Sequence, residues 1–162
     1  MHRLLSALFL SILAGSSGCL DPVHQAAVDA LGGEVSGIPR GPMHRAGQTC
    51  TTCHADEGPG SPPFAFGGTV YDKRNSTIAL PGVTVSMVDA KGVAVSRTSN
   101  EVGNFYVLRS EFDPTYPVHV TMSFGAESKE MKTRIGGDGG CARCHQLGGD
   151  LTHMPAVYLR EE

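Results

Sequence analysis

The pentapeptide Cys50-Thr51-Thr52-Cys53-His54 returns as Cys141-Ala142-Arg143-Cys144-His145, and 87 residues lie between Cys53 and Cys141. Two thiols three positions apart, followed at once by an imidazole, form the pattern of c-type haem attachment. The thiols can add to the two vinyl groups on one edge of a porphyrin, and the adjacent His then turns under the ring to ligate iron. Cys-x-x-Cys alone is ambiguous, since it also serves zinc ribbons and thioredoxin-like redox sites. A zinc ribbon usually separates its knuckles by about 15–20 residues, far fewer than here. A redox site is expected beside a βαβ pattern, which this chain does not display. Neither alternative explains a His after both copies. The motifs therefore predict two covalently attached haem c groups, one on Cys50 and Cys53, the other on Cys141 and Cys144. His54 and His145 would be the proximal ligands.

Five cysteines are present and four belong to the motifs. The fifth, Cys19, ends an N-terminal segment that reads as an export signal over residues 1–18. Arg3 supplies its positive charge, and an apolar run of 11 residues from Leu4 to Ala14, broken only by Ser6 and Ser11, supplies its core. A membrane-spanning helix needs about 20 such residues. Gly18-Cys19 resembles a bacterial lipobox, which implies lipidation of Cys19, although Ser16 stands where that motif usually has a larger apolar residue. Ordinary secretion is the competing reading. Either way the chain is expected outside the cytoplasm, where bacterial haem attachment occurs. A net charge of −3 with 18% charged residues argues against nucleic acid as a partner.

A short helix is expected to open the mature chain. Asp21 can cap it, Pro22 suits its first position and Gly32-Gly33 can stop it. Val23, Ala26, Ala27, Ala30 and Leu31 would form its apolar face. Gly and Pro punctuate residues 36–42, and residues 57–63 read as a turn-rich linker. From Phe64 the texture changes to period-two alternation. Six strands are predicted, over residues 66–71, 83–89, 93–98, 104–108, 118–124 and 127–134, with turn signals between them. Val70, Val83, Val85, Met87, Val95, Phe105, Val107, Val118, Val120 and Met122 would supply one modest core. The glycine-rich run 136–140 reads as a flexible hinge into the second motif. These elements predict a mainly β chain: a small antiparallel β-sandwich at 64–135, inserted between two short, loop-rich haem-binding segments at 19–63 and 136–162 with little helix.

The runs Phe66-Gly67-Gly68-Thr69-Val70-Tyr71-Asp72, Leu80-Pro81-Gly82-Val83-Thr84-Val85 and Val102-Gly103-Asn104-Phe105-Tyr106 resemble the carboxypeptidase regulatory-like domain. That resemblance implies a seven-stranded, transthyretin-like sandwich that carries no protease chemistry itself. The whole combination also resembles a group of bacterial lipoprotein cytochromes with such a sandwich between two CxxCH motifs. In that group the stretch here written Met43-His44-Arg45-Ala46-Gly47-Gln48-Thr49-Cys50 is a recurring lead-in.

Distal ligands must lie across the ring from the proximal His. His44 is the first candidate: it stands six positions before Cys50 in a Gly/Pro-rich loop, and six extended residues span about 20 Å. For the second iron the candidates are His153, then Met131, then Met154. Met87 and Met122 alternate in phase with core residues, which favours packing. His24 reads as a surface residue of the first helix. The chain lacks a nucleophile elbow, a zinc-protease HExxH and a phosphate-binding glycine loop.

The leading expectation is a dihaem electron carrier outside the cytoplasm, exchanging single electrons with redox proteins and tied to a membrane by lipid. It would not be an enzyme. A small haem enzyme or sensor with one open iron, and a surface-binding sandwich with structural haems, are the alternatives. An even number of traverses through the sandwich would bring the two motifs together, and an odd number would set them apart.

Overall fold

The computed structural model describes residues 21–34, 36–149 and 152–161. The expected signal at 1–18 and Cys19 lie outside the described residues. Helix α1 (Pro22–Ala30) forms as its boundary residues dictate: the Asp21 carboxylate accepts the Val23 N–H at 2.9 Å, Pro22 opens the first turn, and Gly32 follows with φ +71°. Its inward face differs from expectation. His24, Val28 and Leu31 are half-buried, whereas Val23 is 76% exposed. The cause lies further along the chain. The Arg45 guanidinium and the Gln48 amide donate to the Leu31 carbonyl, and Arg45 also donates to that of Gly32, so this grip sets the helix's rotation.

The chain is mainly β. Helix α2 (Cys50–Cys53) is a single turn. Then come β1 (Phe64–Thr69), β2 (Tyr71–Lys73), β3 (Thr84–Val88), β4 (Ala94–Thr98), β5 (Asn104–Leu108), β6 (His119–Phe124) and β7 (Glu127–Glu130). After a 3₁₀ turn at Cys141–Arg143 follow three short strands, β8 (His145–Gln146), β9 (Met154–Pro155) and β10 (Tyr158–Arg160). One antiparallel sheet has the order β4-β3-β6-β7. Facing it, β1 pairs with β5 antiparallel, while β2 continues β1 past Val70 and pairs with β10 in parallel. The predicted strand at 66–71 is thus two strands meeting at Val70. The predicted strand at 127–134 pairs only to Glu130, because the polar run Lys132-Thr133-Arg134 loops out before Ile135 rejoins Val118.

The two layers share one core. Phe66, Val70, Val83, Val85, Met87, Phe105, Val107, Val118 and Met122 are buried in it, and Val95 and Val120 pack half-buried against it. Four members come from outside the expected core set: Ala65, Phe66, Phe112 and Leu159. Leu159 belongs to β10, so the sandwich borrows its last core residue from beyond the second motif. Phe66, only 1% exposed, is tilted against Phe112 and Tyr116 at ring separations of 6.1 and 6.4 Å. Phe66→Ala is expected to lower the unfolding free energy by about 3–5 kcal/mol through lost burial and the cavity left behind. A lowered urea midpoint with an unchanged slope would register this.

Candidate haem-binding site

Both motifs pack on β1, where two adjacent glycines receive them. A methyl at Gly67 would stand 2.7 Å from Cys50 Cβ, and one at Gly68 would stand 2.8 Å from Cys141 Cβ. Consecutive strand residues face opposite sides. Gly68 shares its side with Phe66 and Val70, so Cys141 packs against the core, while Cys50 packs on the outer side. The chain reaches this position by returning alongside β1, where the Gly67 N–H donates to the Gly139 carbonyl at 3.0 Å. Gly136 and Gly137 stand in open space, but Gly139 and Gly140 are close-packed. Half of the expected hinge is therefore a fixed seat.

Asp138 ties the two motifs together. Its Oδ1 accepts from the Thr51 hydroxyl at 3.1 Å and from the Gly140 N–H at 2.7 Å, and its Oδ2 pairs with Arg143. Thr51 and Arg143 are interior residues of the first and second CxxCH motifs. The motifs accordingly lie side by side, as an even number of traverses predicts, with β1 and β2 counting as one.

The two histidines are seated alike. His54 Nδ1 lies 2.8 Å from the Pro62 carbonyl oxygen, and His145 Nδ1 lies 2.8 Å from that of Pro155. A carbonyl can only accept, so each Nδ1 carries the proton and each Nε2 keeps its lone pair for a metal. The second cysteine of each motif is held in step: the Gly60 N–H donates to the Cys53 carbonyl at 2.7 Å, and the Met154 N–H to the Cys144 carbonyl at 2.8 Å. The His54 ring also lies flat on Phe64, at 4.0 Å between centroids and 1° between planes, and Phe64 stacks in turn on Tyr106 at 4.7 Å. Sequence reading missed both carbonyls and Asp138. The available signal was a proline eight residues after His54 and another ten after His145.

Among the described residues the four motif cysteines form no disulfide. Burial pushes the Cys50 thiol up to about 11, and it pushes Cys141 up to about 12, with the neighbouring Cys50 and Asp138 charges adding to the rise. Disulfide exchange proceeds through the thiolate, which burial disfavours at Cys50 and Cys141. A thioether sulfur carries no charge to desolvate, so the same burial suits haem attachment.

His44 is brought to His54, with ring centroids 5.9 Å apart and planes 34° apart. Two imidazoles on either side of one metal, each nitrogen about 2 Å from it, place their centroids about 6 Å apart. The residues present therefore fit a haem ligated by both. The His44 loop is fixed by polar side chains of the sandwich. Asn104 of β5 donates to the Pro42 and His44 carbonyls at 3.2 and 3.0 Å, and Thr69 links Asn104 to the Gly47 N–H through two bonds of 2.7 Å. Unlike the motif histidines, His44 has an amide N–H, that of Gly41, 3.4 Å from its Nδ1. Ligation through Nε2 requires that nitrogen to carry the proton instead.

The other candidates are placed differently. Met154 sits directly opposite His145 in the parallel β8–β9 pair, on the same side of that ladder. His153 immediately precedes it, with its Nδ1 2.8 Å from the Thr152 hydroxyl. Met131 follows β7, the outer strand of the other sheet, and its N–H donates to the Val120 carbonyl at 3.0 Å. Among the described residues no helix is long and apolar enough to cross a membrane. Compared with family models, curated proteins and solved structures, the chain matches none.

Proposed function

We propose that this chain is a dihaem cytochrome c that carries single electrons between redox proteins outside the bacterial cytoplasm. In this reading Cys19 bears a lipid that holds it to a membrane, facing the periplasm or the cell surface. The observation that carries the proposal is the matched seating of His54 and His145. Both have Nδ1 committed to a proline carbonyl and Nε2 left for iron, although the intervening loops differ in length and sequence. When bound, haem iron takes up and releases one electron, and its axial ligands and burial tune the potential. The protein's part is positional. Gly67 and Gly68 admit the two cysteines, Asp138 holds the motifs side by side, and Asn104 holds His44 across from His54. The sandwich, which resembles the carboxypeptidase regulatory-like domain, serves as the scaffold.

Protein matured in a host with cytochrome c assembly should carry two haems per chain by intact mass. The double variant Cys50→Ser, Cys53→Ser should carry one. Zinc in place of haem, or no covalent haem, would overturn the proposal. The reduced protein should also leave carbon monoxide unbound, because a carrier keeps both irons six-coordinate. One iron that binds it would favour the enzyme or sensor reading.

A further inference from the structure

The β1–β5 ladder sets out the first motif's site in order along its length. At the Phe64 end the His54, Phe64 and Tyr106 rings stack in steps of 4.0 and 4.7 Å. At the other end Thr69 and its cross-strand partner Asn104 hold the loop that carries His44. Between these ends Cys50 lies over Gly67, whose cross-strand partner is Tyr106. The two imidazoles are thus spaced along the strands, with the cysteine seat between them. A flat ring ligated by both and attached at Cys50 would stand across the strands, over the Gly67–Tyr106 pair.

In that direction the ladder ends at β5, which pairs with β1 alone. A groove of about 390 Å³ opens there. Pro42 of the His44 loop lines it with Asn104, Tyr106 and Leu108 of β5, together with Arg97 of β4 and Glu111. Arg97 is the one cation of that lining. Its Nη1 donates to the Ser96 carbonyl at 2.9 Å and its Nη2 to Glu111 at 2.5 Å, and among the described residues the rest of its five-donor fork is open. Glu111 is itself anchored, accepting the Leu108 N–H at 3.1 Å, so it steadies the guanidinium at the groove.

A haem c carries its thioethers on one edge and two propionates on the opposite one. With the thioether edge over β1, the carboxylates fall on the far side of β5. An arginine fork matches a carboxylate in shape and charge.

We propose that Arg97 binds a propionate of the haem attached at Cys50 and Cys53, in the groove beside β5. The proposal rests on the dihaem reading above. Arg97 then both seats the open edge of that haem and raises its potential, because a nearby positive charge favours the iron that has gained an electron.

The test uses holoprotein shown by mass to carry two haems, so a failure of the dihaem reading appears first and separately. The thioethers retain the haem without the clamp, which keeps every variant measurable. Reduction potentials and the propionate bending bands of the resonance Raman spectrum are read for Arg97→Gln, Arg97→Lys and Glu111→Gln. Arg97→Gln should lower the equilibrium constant for reducing one haem about tenfold, which is about 59 mV for one electron, and should shift one propionate band. Arg97→Lys should restore most of the potential. Glu111→Gln removes a negative charge and leaves the clamp, so it should move the potential the opposite way. In the Cys50→Ser, Cys53→Ser background, which holds the second haem alone, Arg97→Gln should change nothing. Unaltered potentials in Arg97→Gln would overturn the proposal. So would a shift of potential with no change in the propionate bands, the same shift in the background lacking the first haem, or a Glu111→Gln variant that behaves like Arg97→Gln.

Discussion

Gly139→Ala should lower the unfolding free energy by about 3 kcal/mol or more, whereas Gly136→Ala and Gly137→Ala should change it by no more than about 0.5 kcal/mol. All three sit in one glycine run, and composition alone would rank them equally. A methyl at Gly139 would collide with the Ala65 carbonyl oxygen and reach 2.7 Å from Phe66 Cδ1, while nothing lies within 4 Å of a methyl at Gly136 or Gly137. The obstacle at Gly139 is backbone, which cannot rotate away. Relief requires the returning chain to leave β1, with loss of the Gly67–Gly139 hydrogen bond and displacement of the Cys141 seat. Chemical denaturation of the three variants measures the difference. Equal stabilities would show that the run is the flexible hinge its composition suggests and that the second motif does not dock on β1.

Truncation after Ala156 should cost about 3–5 kcal/mol, most of it through Leu159. That side chain is 6% exposed within the common core, and emptying such a site costs about 2–5 kcal/mol. The truncation also removes the pairing of β10 with β2, including the Tyr71 N–H to Val157 carbonyl bond at 2.9 Å and the Arg74 N–H to Arg160 carbonyl bond at 3.0 Å. The ion pairs of the tail add little. Arg160–Glu127 at 2.6 Å and Lys129–Glu161 at 2.9 Å are both solvent-facing, and exposed pairs contribute about 0–1 kcal/mol. Leu159→Ala should therefore reproduce most of the loss, and Arg160→Ala little of it. Urea midpoints for the three variants decide the matter. A truncated chain no weaker than Arg160→Ala would mean that β10 is peripheral.

The reach of the sequence follows from the range of each interaction. The two CxxCH segments, the Asp21 cap with Pro22, and the alternating strands were legible because each is encoded within a few consecutive residues. Periodicity likewise placed Met87 and Met122 in the core, where both are buried. Other features depend on the path of the chain. The Thr51–Asp138 bond joins residues 87 positions apart, and no local pattern records that they meet. Leu159 looks like an ordinary tail residue until β10 lies beside β2. Val23, Ala26, Ala27 and Ala30 formed a plausible helix face, yet Arg45 and Gln48 turn His24 inward, because an anchor outside the helix outweighs a weak apolar stripe. The glycines state the limit most clearly. Glycine serves equally where a chain must be loose and where backbones must touch. Only the position of β1 decides that Gly136 is the first kind and Gly139 the second.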